Sequence, residues 1–273
     1  MSTAAPAPAD PAAPFPLAHD GAGASVALID SGVDGSHPWL ATTTLEHVRI
    51  EPVGQGFEVI PDGGGDQSGH GTACAGIIHR MAPAARLVSV RALGPDGRCS
   101  RDALIAALAH CVRAGYGVVN LSLGIDIPRN APLRPADHRP ILSLYELADA
   151  AYTTAVVLVA SGPNVASFRT YPGRFKSLVG VGRANFADWE QLETARTADH
   201  EILAPGTDIL APALGGGERR WSGTSFACPF VSAHCARIVA ARPGLAIEGV
   251  KVALHALAAR FQPASRATVE QPS

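Results

Sequence analysis

A glycine turn leads into an apolar run in the stretch Ser222-Gly223-Thr224-Ser225-Phe226-Ala227-Cys228-Pro229, which places the hydroxyl of Ser225 at the start of a predicted helix. Two more side chains occupy comparable positions upstream. Asp30 ends the apolar run Ser25 to Ile29, which predicts a buried strand, and His70 opens an apolar segment, which predicts another helix. Because strand ends and helix starts meet at one edge of an open α/β sheet, we expect these three side chains to share a crevice.

Asp30, His70 and Ser225 are also the three residue types that activate a serine hydroxyl. The imidazole takes the hydroxyl proton, and the carboxylate holds the imidazole in the required orientation. Taken singly, each residue has an ordinary structural explanation, since serine often caps a helix and aspartate often ends a strand in a turn. Together, in the order Asp, His, Ser, they match one known chain order of this machinery and indicate a serine hydrolase.

The three motifs and four connecting segments are informative as a set: Asp30-Ser31-Gly32-Val33-Asp34-Gly35-Ser36-His37-Pro38, Ser68-Gly69-His70-Gly71-Thr72, the Ser225 stretch, Met81-Ala82-Pro83, Val88-Ser89-Val90-Arg91-Ala92-Leu93-Gly94, Val118-Val119-Asn120-Leu121-Ser122-Leu123-Gly124 and Leu203-Ala204-Pro205-Gly206-Thr207. They resemble the motifs of the subtilisin-like serine peptidases, or subtilases, from about Ala24 to about Phe261. The resemblance implies an α/β fold of three layers, α/β/α, with a mostly parallel central sheet. It also implies that Ser225 attacks, His70 transfers the proton and Asp30 orients His70.

The chain departs from the subtilase pattern at the oxyanion donor. Subtilases resemble one another in an Ala-Gly-Asn block whose asparagine side chain stabilises the negative oxygen, whereas this chain reads Ala160-Ser161-Gly162-Pro163-Asn164. Pro163 takes the asparagine position and has no N–H to donate. We expect Asn164 to reach the same spot if the loop bulges, with the N–H of Ser225 as the second donor. Losing one such donor lowers turnover by about 10²–10³.

The resemblance further implies where a peptide substrate binds. In subtilases an extended peptide pairs with two segments, adding a strand whose main-chain hydrogen bonds give affinity. The matching residues here are Gly97, Arg98, Cys99, Ser100, Ser122, Leu123 and Gly124. The connection after Gly124 is longer than is usual in the family and is read equally well as a solvated surface loop or as a specificity loop beside the cleft. Arg169 either favours an acidic side chain before the cut or points to solvent.

The composition is that of a single compact α/β enzyme. The 273 residues are 47% apolar and 17% charged, which is enough for one sizeable core. We expect a disordered Ala/Pro-rich arm over 1–22, a catalytic domain over 23–262 and a flexible tail over 263–273. Lys plus Arg number 22 against 24 for Asp plus Glu, without a basic cluster, so we expect no nucleic acid and no membrane as partner. The resemblance to subtilases implies a peptide or protein substrate as partner. The oligomeric state stays open.

The N-terminal arm lacks the positive n-region and apolar h-region of a signal peptide, and no stretch approaches the length of a membrane span. If the chain is complete, it has no room for a signal and a folding pro-segment, and we expect a cytoplasmic protein. Five cysteines without zinc-site spacing fit reduced thiols, although Cys74, one helical turn after His70, leaves a redox or mercury-sensitive switch open. No calcium-ligand run appears, so we expect no metal and no organic cofactor.

Periodicity predicts alternating strands and helices, with parallel pairing and right-handed crossovers. The strands are predicted near 25–30, 86–92, 117–121, 155–160 and 177–182, and the helices near 71–81, 100–114, 140–153, 225–241 and 247–261.

The three motifs and the resemblance to subtilases favour a serine endopeptidase that works through an acyl-enzyme, with a dedicated role such as leader-peptide removal as a further hypothesis. Two alternatives stay open. A catalytically weakened pseudoenzyme would use the intact groove only to bind extended peptides, as the altered Pro163-Asn164 block allows. A peptide ligase or cyclase would resolve the same acyl-enzyme with an amine instead of water.

Overall fold

The computed structural model describes residues 19–195 and 197–261, so the predicted tail over 263–273 and most of the predicted arm over 1–22 lie outside the described residues. Strands and helices alternate along the described chain. The strands are β1 (Ser25–Asp30), β2 (Gly32–Val33), β3 (Leu45–Val53), β4 (Gly56–Pro61), β5 (Gly65–Asp66), β6 (Arg86–Arg91), β7 (Val118–Leu121), β8 (Ile125–Pro128), β9 (Val157–Ser161), β10 (Phe168–Tyr171), β11 (Val179–Ala184), β12 (Glu193–Thr194), β13 (Ile202–Pro205), β14 (Ile209–Pro212) and β15 (Glu218–Trp221). The α-helices are α1 (His70–Met81), α2 (Arg101–Ala114), α3 (Pro135–Thr153), α4 (Thr224–Ala241) and α5 (Ile247–Ala259).

Nine strands form the central sheet in the order β12-β13-β11-β9-β7-β1-β6-β3-β4. The inner neighbours are all parallel, and the two edge pairs, β3 with β4 and β12 with β13, are antiparallel. Strand β1 lies in the interior of the sheet between β6 and β7, and all its residues after Ser25 are buried. A strand covered on both faces must be apolar throughout, which explains the run Val26 to Ile29. The predicted α/β class with a mostly parallel sheet is confirmed.

Helices cover both faces of the sheet. Successive side chains of β1 point to opposite faces, so Val26 and Leu28 join one apolar core while Ala27 and Ile29 join the other. The first core contains the buried faces of α1, α4 and α5, and the second those of α2 and α3. The three-layer α/β/α arrangement is therefore as expected. Within the described residues, no helix combines the length and the apolar character needed to cross a membrane.

Helix α3 begins at Pro135, five residues before the start predicted at Pro140. Proline is favoured in the first turn of a helix, which is why the sequence favours a start at Pro140. Instead Pro140 lies inside the helix, where its missing N–H frees the carbonyl of Ala136. The guanidinium of Arg101 donates to that carbonyl at 3.0 Å. A long side chain from α2 thus replaces the lost helical hydrogen bond.

The antiparallel edge formed by β3 and β4 was not predicted. Every residue of these strands is half-buried or exposed, so neither shows the continuous apolar run of a central strand. Their register pairs Val53 with Gly56 across a tight turn. The five predicted strands pair in parallel, as expected. The antiparallel pairs at the two edges involve strands that were not predicted, where a two-residue turn or a short strand reverses the chain direction.

Candidate active site

The end of β1 and the start of α1 bring Asp30 and His70 into contact. Nδ1 of His70 lies 2.7 Å from Oδ1 of Asp30, and the same oxygen accepts the N–H of Ser31 at 2.8 Å. Asp30 is 1% exposed, while the side chain of His70 keeps 22% of its surface in contact with solvent. Because Nδ1 is held by the carboxylate, Nε2 is the ring nitrogen left for a hydroxyl or a substrate.

The carboxylate also controls the basicity of His70. Burial of the ring lowers its pKa and the charge of Asp30 raises it; the carboxylate prevails, and the pKa lies well above the ordinary value of 6.5. Burial raises the pKa of Cys74, whose Sγ lies 3.9 Å from Nδ1, so this thiol stays protonated at neutral pH. An imidazole made more basic by a buried carboxylate is suited to take the proton of a hydroxyl.

Asp66, which the sequence analysis did not identify, holds the N-terminus of α1. Its Oδ1 accepts the hydroxyl of Ser31 at 2.7 Å and the N–H groups of Ser68 and Gly69 at 3.0 and 2.9 Å. Its Oδ2 accepts the N–H and the hydroxyl of Thr72 at 2.8 and 2.6 Å. Burial raises the pKa of Asp66, but these hydrogen bonds prevail and lower it. An acidic residue just before a helix-starting glycine is the only signal in the sequence, and many surface turns share it.

Gly71 allows α1 to approach β1 closely. A Cβ at this position would lie 2.1 Å from the carbonyl oxygen of Gly32 and 3.1 Å from Cβ of Asp30. Any side chain would therefore push the helix away from the strand and separate the imidazole from its carboxylate.

Ser225 lies in the first turn of α4, and Pro229 determines what its carbonyl binds. The N–H of residue 229 would normally donate to this carbonyl, and proline has none. The carbonyl accepts the hydroxyl of Ser122 at 2.7 Å instead. Asn120 donates to the Ser122 oxygen at 2.9 Å and accepts from Ser232 at 2.9 Å. A buried chain of polar groups therefore ties the first turn of α4 to the end of β7.

The first turn of α4 is also close to His70. Sγ of Cys74 lies 3.9 Å from Nδ1 of His70 and 3.6 Å from the carbonyl oxygen of Ser225, so the thiol touches both residues. The ring of Phe226, the next residue, has its centroid 4.8 Å from that of His70. The structure thus brings Asp30, His70 and Ser225, predicted from three distant motifs, to one corner of the sheet.

The loop that contains Pro163 places Asn164 beside the serine. Oδ1 of Asn164 accepts the N–H of Thr224 at 2.8 Å, and the hydroxyl of Thr224 donates to the carbonyl of Gly162 at 2.8 Å. With its oxygen occupied in this way, the exposed Asn164 has its NH₂ group left to donate to a bound substrate. The hydrogen bond from Thr224 places Asn164 next to the first turn of α4.

Six of the seven predicted substrate-binding residues line one cavity of about 600 Å³: Gly97, Arg98, Cys99, Ser100, Leu123 and Gly124. Leu104, Ile125 and Asp126 complete its wall together with Arg101. Ser122 differs from the others, since it is buried and bonded to the Ser225 carbonyl. It belongs to the support of the serine and not to the cavity wall.

The long connection after Gly124 is folded onto the cleft rim. Strand β8 pairs antiparallel with β10, and the guanidinium of Arg129 donates to the carbonyl of Ala166 at 2.7 Å and forms an ion pair with Asp199. Arg169 does not point freely into solvent: it is half-buried and donates to the carbonyl of Ala131 at 2.9 Å. This connection therefore braces the loop that carries Asn164.

Asp30, His70 and Cys74 also form a cluster of possible metal-ligand atoms, all within 4.8 Å of one another. A soft metal ion bound there would take the nitrogen and the oxygen that now bind each other, and would compete with the arrangement described above.

Comparison with known proteins shows which family the sequence matches. Residues 21–268 match the model of the family described as the subtilase family. A subtilisin of Bacillus pumilus is 27% identical over 242 residues, which are 82% of this chain and 80% of that protein. The intracellular serine protease of Paenibacillus polymyxa is 27% identical over 233 residues, covering 80% of this chain and 67% of its own. Subtilisin E of Bacillus subtilis is also 27% identical, but the match spans only 58% of its length.

Solved structures of subtilisin-like proteases share the fold of this chain. A cold adapted subtilisin-like serine proteinase superposes with a TM-score of 0.66 at 21% identity, over 88% of this chain and 84% of the other, which bears on the fold alone. The prenylagaramide maturation protease PagA superposes with a TM-score of 0.61 at 26% identity, over 79% of this chain and 75% of the other.

Proposed function

Because the chain belongs to the subtilase family and is a serine-type endopeptidase, we propose that Ser225 is its nucleophile, His70 its general acid and base, and Asp30 the group that orients His70. The observation that carries this proposal is the 2.7 Å bond between His70 Nδ1 and Asp30 Oδ1 beside the first turn of α4. The bond fixes the ring and leaves Nε2 for the hydroxyl proton.

In the proposed mechanism, Ser225 Oγ attacks the scissile carbonyl while His70 takes its proton. The negative oxygen that forms is stabilised by the Asn164 NH₂ and the Ser225 N–H. His70 then gives the proton to the leaving amine, and a water molecule, activated by the same imidazole, hydrolyses the acyl-enzyme. None of these steps requires a metal or an organic cofactor.

We propose that the residues before the cut bind as an extended strand along the two segments 97–100 and 122–124. The cavity that these segments border would receive a side chain of the substrate. The catalytic domain is assigned to residues 23–262.

A dedicated maturation role, with removal of a leader peptide in the cytoplasm, is the finer part of the proposal. The name of the structural relative, a maturation protease, supports the role, and the name of the intracellular relative supports the location. A cytoplasmic protease without narrow specificity would damage the proteins around it, which also favours a dedicated substrate.

An active-site fluorophosphonate tests the nucleophile. We expect one label per chain on Ser225, none on Ser225→Ala, and full labelling of Ser222→Ala, in which an exposed serine of the same stretch is removed. Absence of labelling together with tight binding of extended peptides would establish the pseudoenzyme instead.

Mass spectrometry of the products separates hydrolysis from ligation. Hydrolysis adds one water to the summed mass of the fragments, whereas cyclisation or ligation does not. A peptide library that spans candidate leader junctions, digested and sequenced, gives the residue preference. General digestion of unrelated sequences would contradict a dedicated maturation role.

A further inference from the structure

The side of the cleft that receives the leaving half of the substrate can be located from the chemistry. The imidazole that takes the hydroxyl proton returns it to the leaving nitrogen, so the residues after the cut lie on the side of His70. Two aromatic rings adjoin His70 there. Phe226 lies 4.8 Å and Trp221 6.4 Å from it between ring centroids, and the two rings are 4.8 Å from each other. None of these three rings lines the 600 Å³ cavity beside Gly124.

Strand β15 adds a positive charge to this aromatic surface. Alternate residues of a strand share a face, so Arg219 lies on the face of Trp221. The guanidinium carbon of Arg219 is 3.3 Å from the centroid of the Trp221 ring. Trp221 itself is 8% exposed and donates to the carbonyl of Pro212 at 3.0 Å, so it provides a fixed platform for the cation.

The two residues on the other face of β15 already have partners within the protein. Glu218 accepts the indole N–H of Trp39 at 2.7 Å, and Arg220 pairs with Asp208 at 2.9 Å. Arg219, by contrast, is exposed and forms no ion pair with any residue in the described part of the chain. Stacking on Trp221 limits the freedom of its side chain and leaves its five N–H donors available to a carboxylate.

We propose that Arg219 selects substrates with an acidic residue within the first three positions after the cut. This inference rests on the proposed proteolytic function and names a substrate class for the same site. An extended chain advances about 3.3 Å per residue. Because Trp221 lies 6.4 Å from His70 and Arg219 covers its ring, the guanidinium is within reach of the second or third residue of the leaving half.

Pairs of peptide substrates test the inference. The two members of a pair differ only in carrying Glu or Gln at one of the first three positions after the cut. We expect wild type to cleave the Glu-containing peptide about five-fold faster, in kcat/KM, than its Gln counterpart, which is the size typical of a partly exposed ion pair. The preference for Glu over Gln should disappear in Arg219→Gln and reverse in Arg219→Glu. High salt should weaken it, since exposed charges are screened.

Arg220→Glu is the matched control, because it reverses the neighbouring charge on the opposite face of the strand. It should keep the preference for Glu. A wild type that cleaves both peptides equally, or an Arg220→Glu change as large as that of Arg219→Glu, would overturn the inference while leaving the protease intact.

A binding measurement makes the test independent of turnover. In the Ser225→Ala background, the dissociation constants of the same peptides should differ by a similar factor, and Arg219→Glu should invert it. Selective binding without cleavage by wild type would support the role of Arg219 and refute the proteolytic function. Equal binding of the acidic and neutral peptides would refute the role of Arg219 in either case.

Discussion

Two buried parts of helix α4, its first turn and the position of His234, differ in whether their polar groups have hydrogen-bond partners. In the first turn, the N–H of Thr224 donates to Asn164 at 2.8 Å, and the carbonyl freed by Pro229 accepts the hydroxyl of Ser122 at 2.7 Å. Two and a half turns later, His234 is fully buried, and neither ring nitrogen has a hydrogen-bond partner.

The difference shows what each part of the helix must do. A catalytic group has to be held within about half an ångström of its working position, and hydrogen bonds from neighbouring elements supply that precision. The position of His234 needs only to stay packed, and its apolar neighbours hold it although an unpaired polar group there costs about 1–3 kcal/mol. Substitutions in or beside the first turn should therefore change the rate, and those in the middle should change stability.

The largest effect is expected from Asp30→Asn, which removes the charge that orients His70. An amide in place of this carboxylate favours the wrong tautomer of the ring, and we expect kcat to fall by about 10⁴. The raised pKa of His70 places the acid limb of the pH profile above about 6.5, since the neutral ring is the active base. In Asp30→Asn the limb should move to lower pH. A limb at the same pH in both proteins would show that another group controls it.

Asn164→Ala tests the oxyanion donor. We expect kcat to fall by about 10²–10³, or roughly 3–4 kcal/mol, with little change in KM, because this hydrogen bond strengthens only in the transition state. Val165→Ala, a change at the next and equally exposed position, is the control and should keep nearly full activity. Equal rates for the two variants would remove Asn164 from the mechanism and leave the Ser225 N–H as the donor.

Ser122→Ala tests whether the first turn of α4 depends on the hydrogen bond from the Ser122 hydroxyl to the Ser225 carbonyl. The substitution leaves this carbonyl with only the weak thiol donor of Cys74. The lost hydrogen bond costs about 1–3 kcal/mol, and we expect part of that to appear as a fall in kcat of about ten-fold. Ser232→Ala removes the far end of the same polar chain and should have a smaller effect on kcat. Denaturant unfolding of both variants separates lost stability from lost positioning. An unaltered kcat in Ser122→Ala would show that Ser225 needs no such support.

Much of the candidate site was predictable because its parts are local in sequence. Asp30, His70 and Ser225 each lie at a junction between an apolar run and a glycine turn, and such junctions meet at the carboxyl edge of a parallel sheet. The order of the three motifs then identified the chemistry. Strands β1, β6, β7, β9 and β11 and all five described helices were predicted for the same reason, since buried elements show strong periodicity.

The remaining features depend on contacts between distant segments. Pro140 was predicted to start α3, and only the position of Arg101 explains how the helix continues through it. Asp66 lies in no recognisable sequence motif, because its role arises from five hydrogen bonds that converge on its carboxylate in the folded chain. The proposed role of Arg219 depends on its stacking on Trp221, which follows from their positions in β15. A single sequence does not encode such partners in any local pattern.

The smallest expected effect on activity is that of His234→Leu, whose effect should be confined to stability. Burial, followed by the charge of Arg237, lowers the pKa of His234 to about 3, and its nearest carboxylate, in Glu190, is 3.9 Å away. As the pH falls, His234 is therefore protonated in the unfolded chain before it is protonated in the folded protein. The free energy of unfolding should consequently fall by up to about 5 kcal/mol as the pH drops from 6.5 towards 3.

Leucine has a similar volume and no polar atom, so His234→Leu should raise the free energy of unfolding at pH 7 by about 1–3 kcal/mol and flatten its decline in acid, with kcat unchanged. His255→Leu is the opposite case, because His255 bonds Glu201 at 2.9 Å and Thr194 at 3.0 Å, and its loss should destabilise the protein. Urea unfolding at several pH values measures both. If His234→Leu were destabilised as much as His255→Leu, the middle of α4 would depend on polar partners just as its first turn does, and the contrast between the two would disappear.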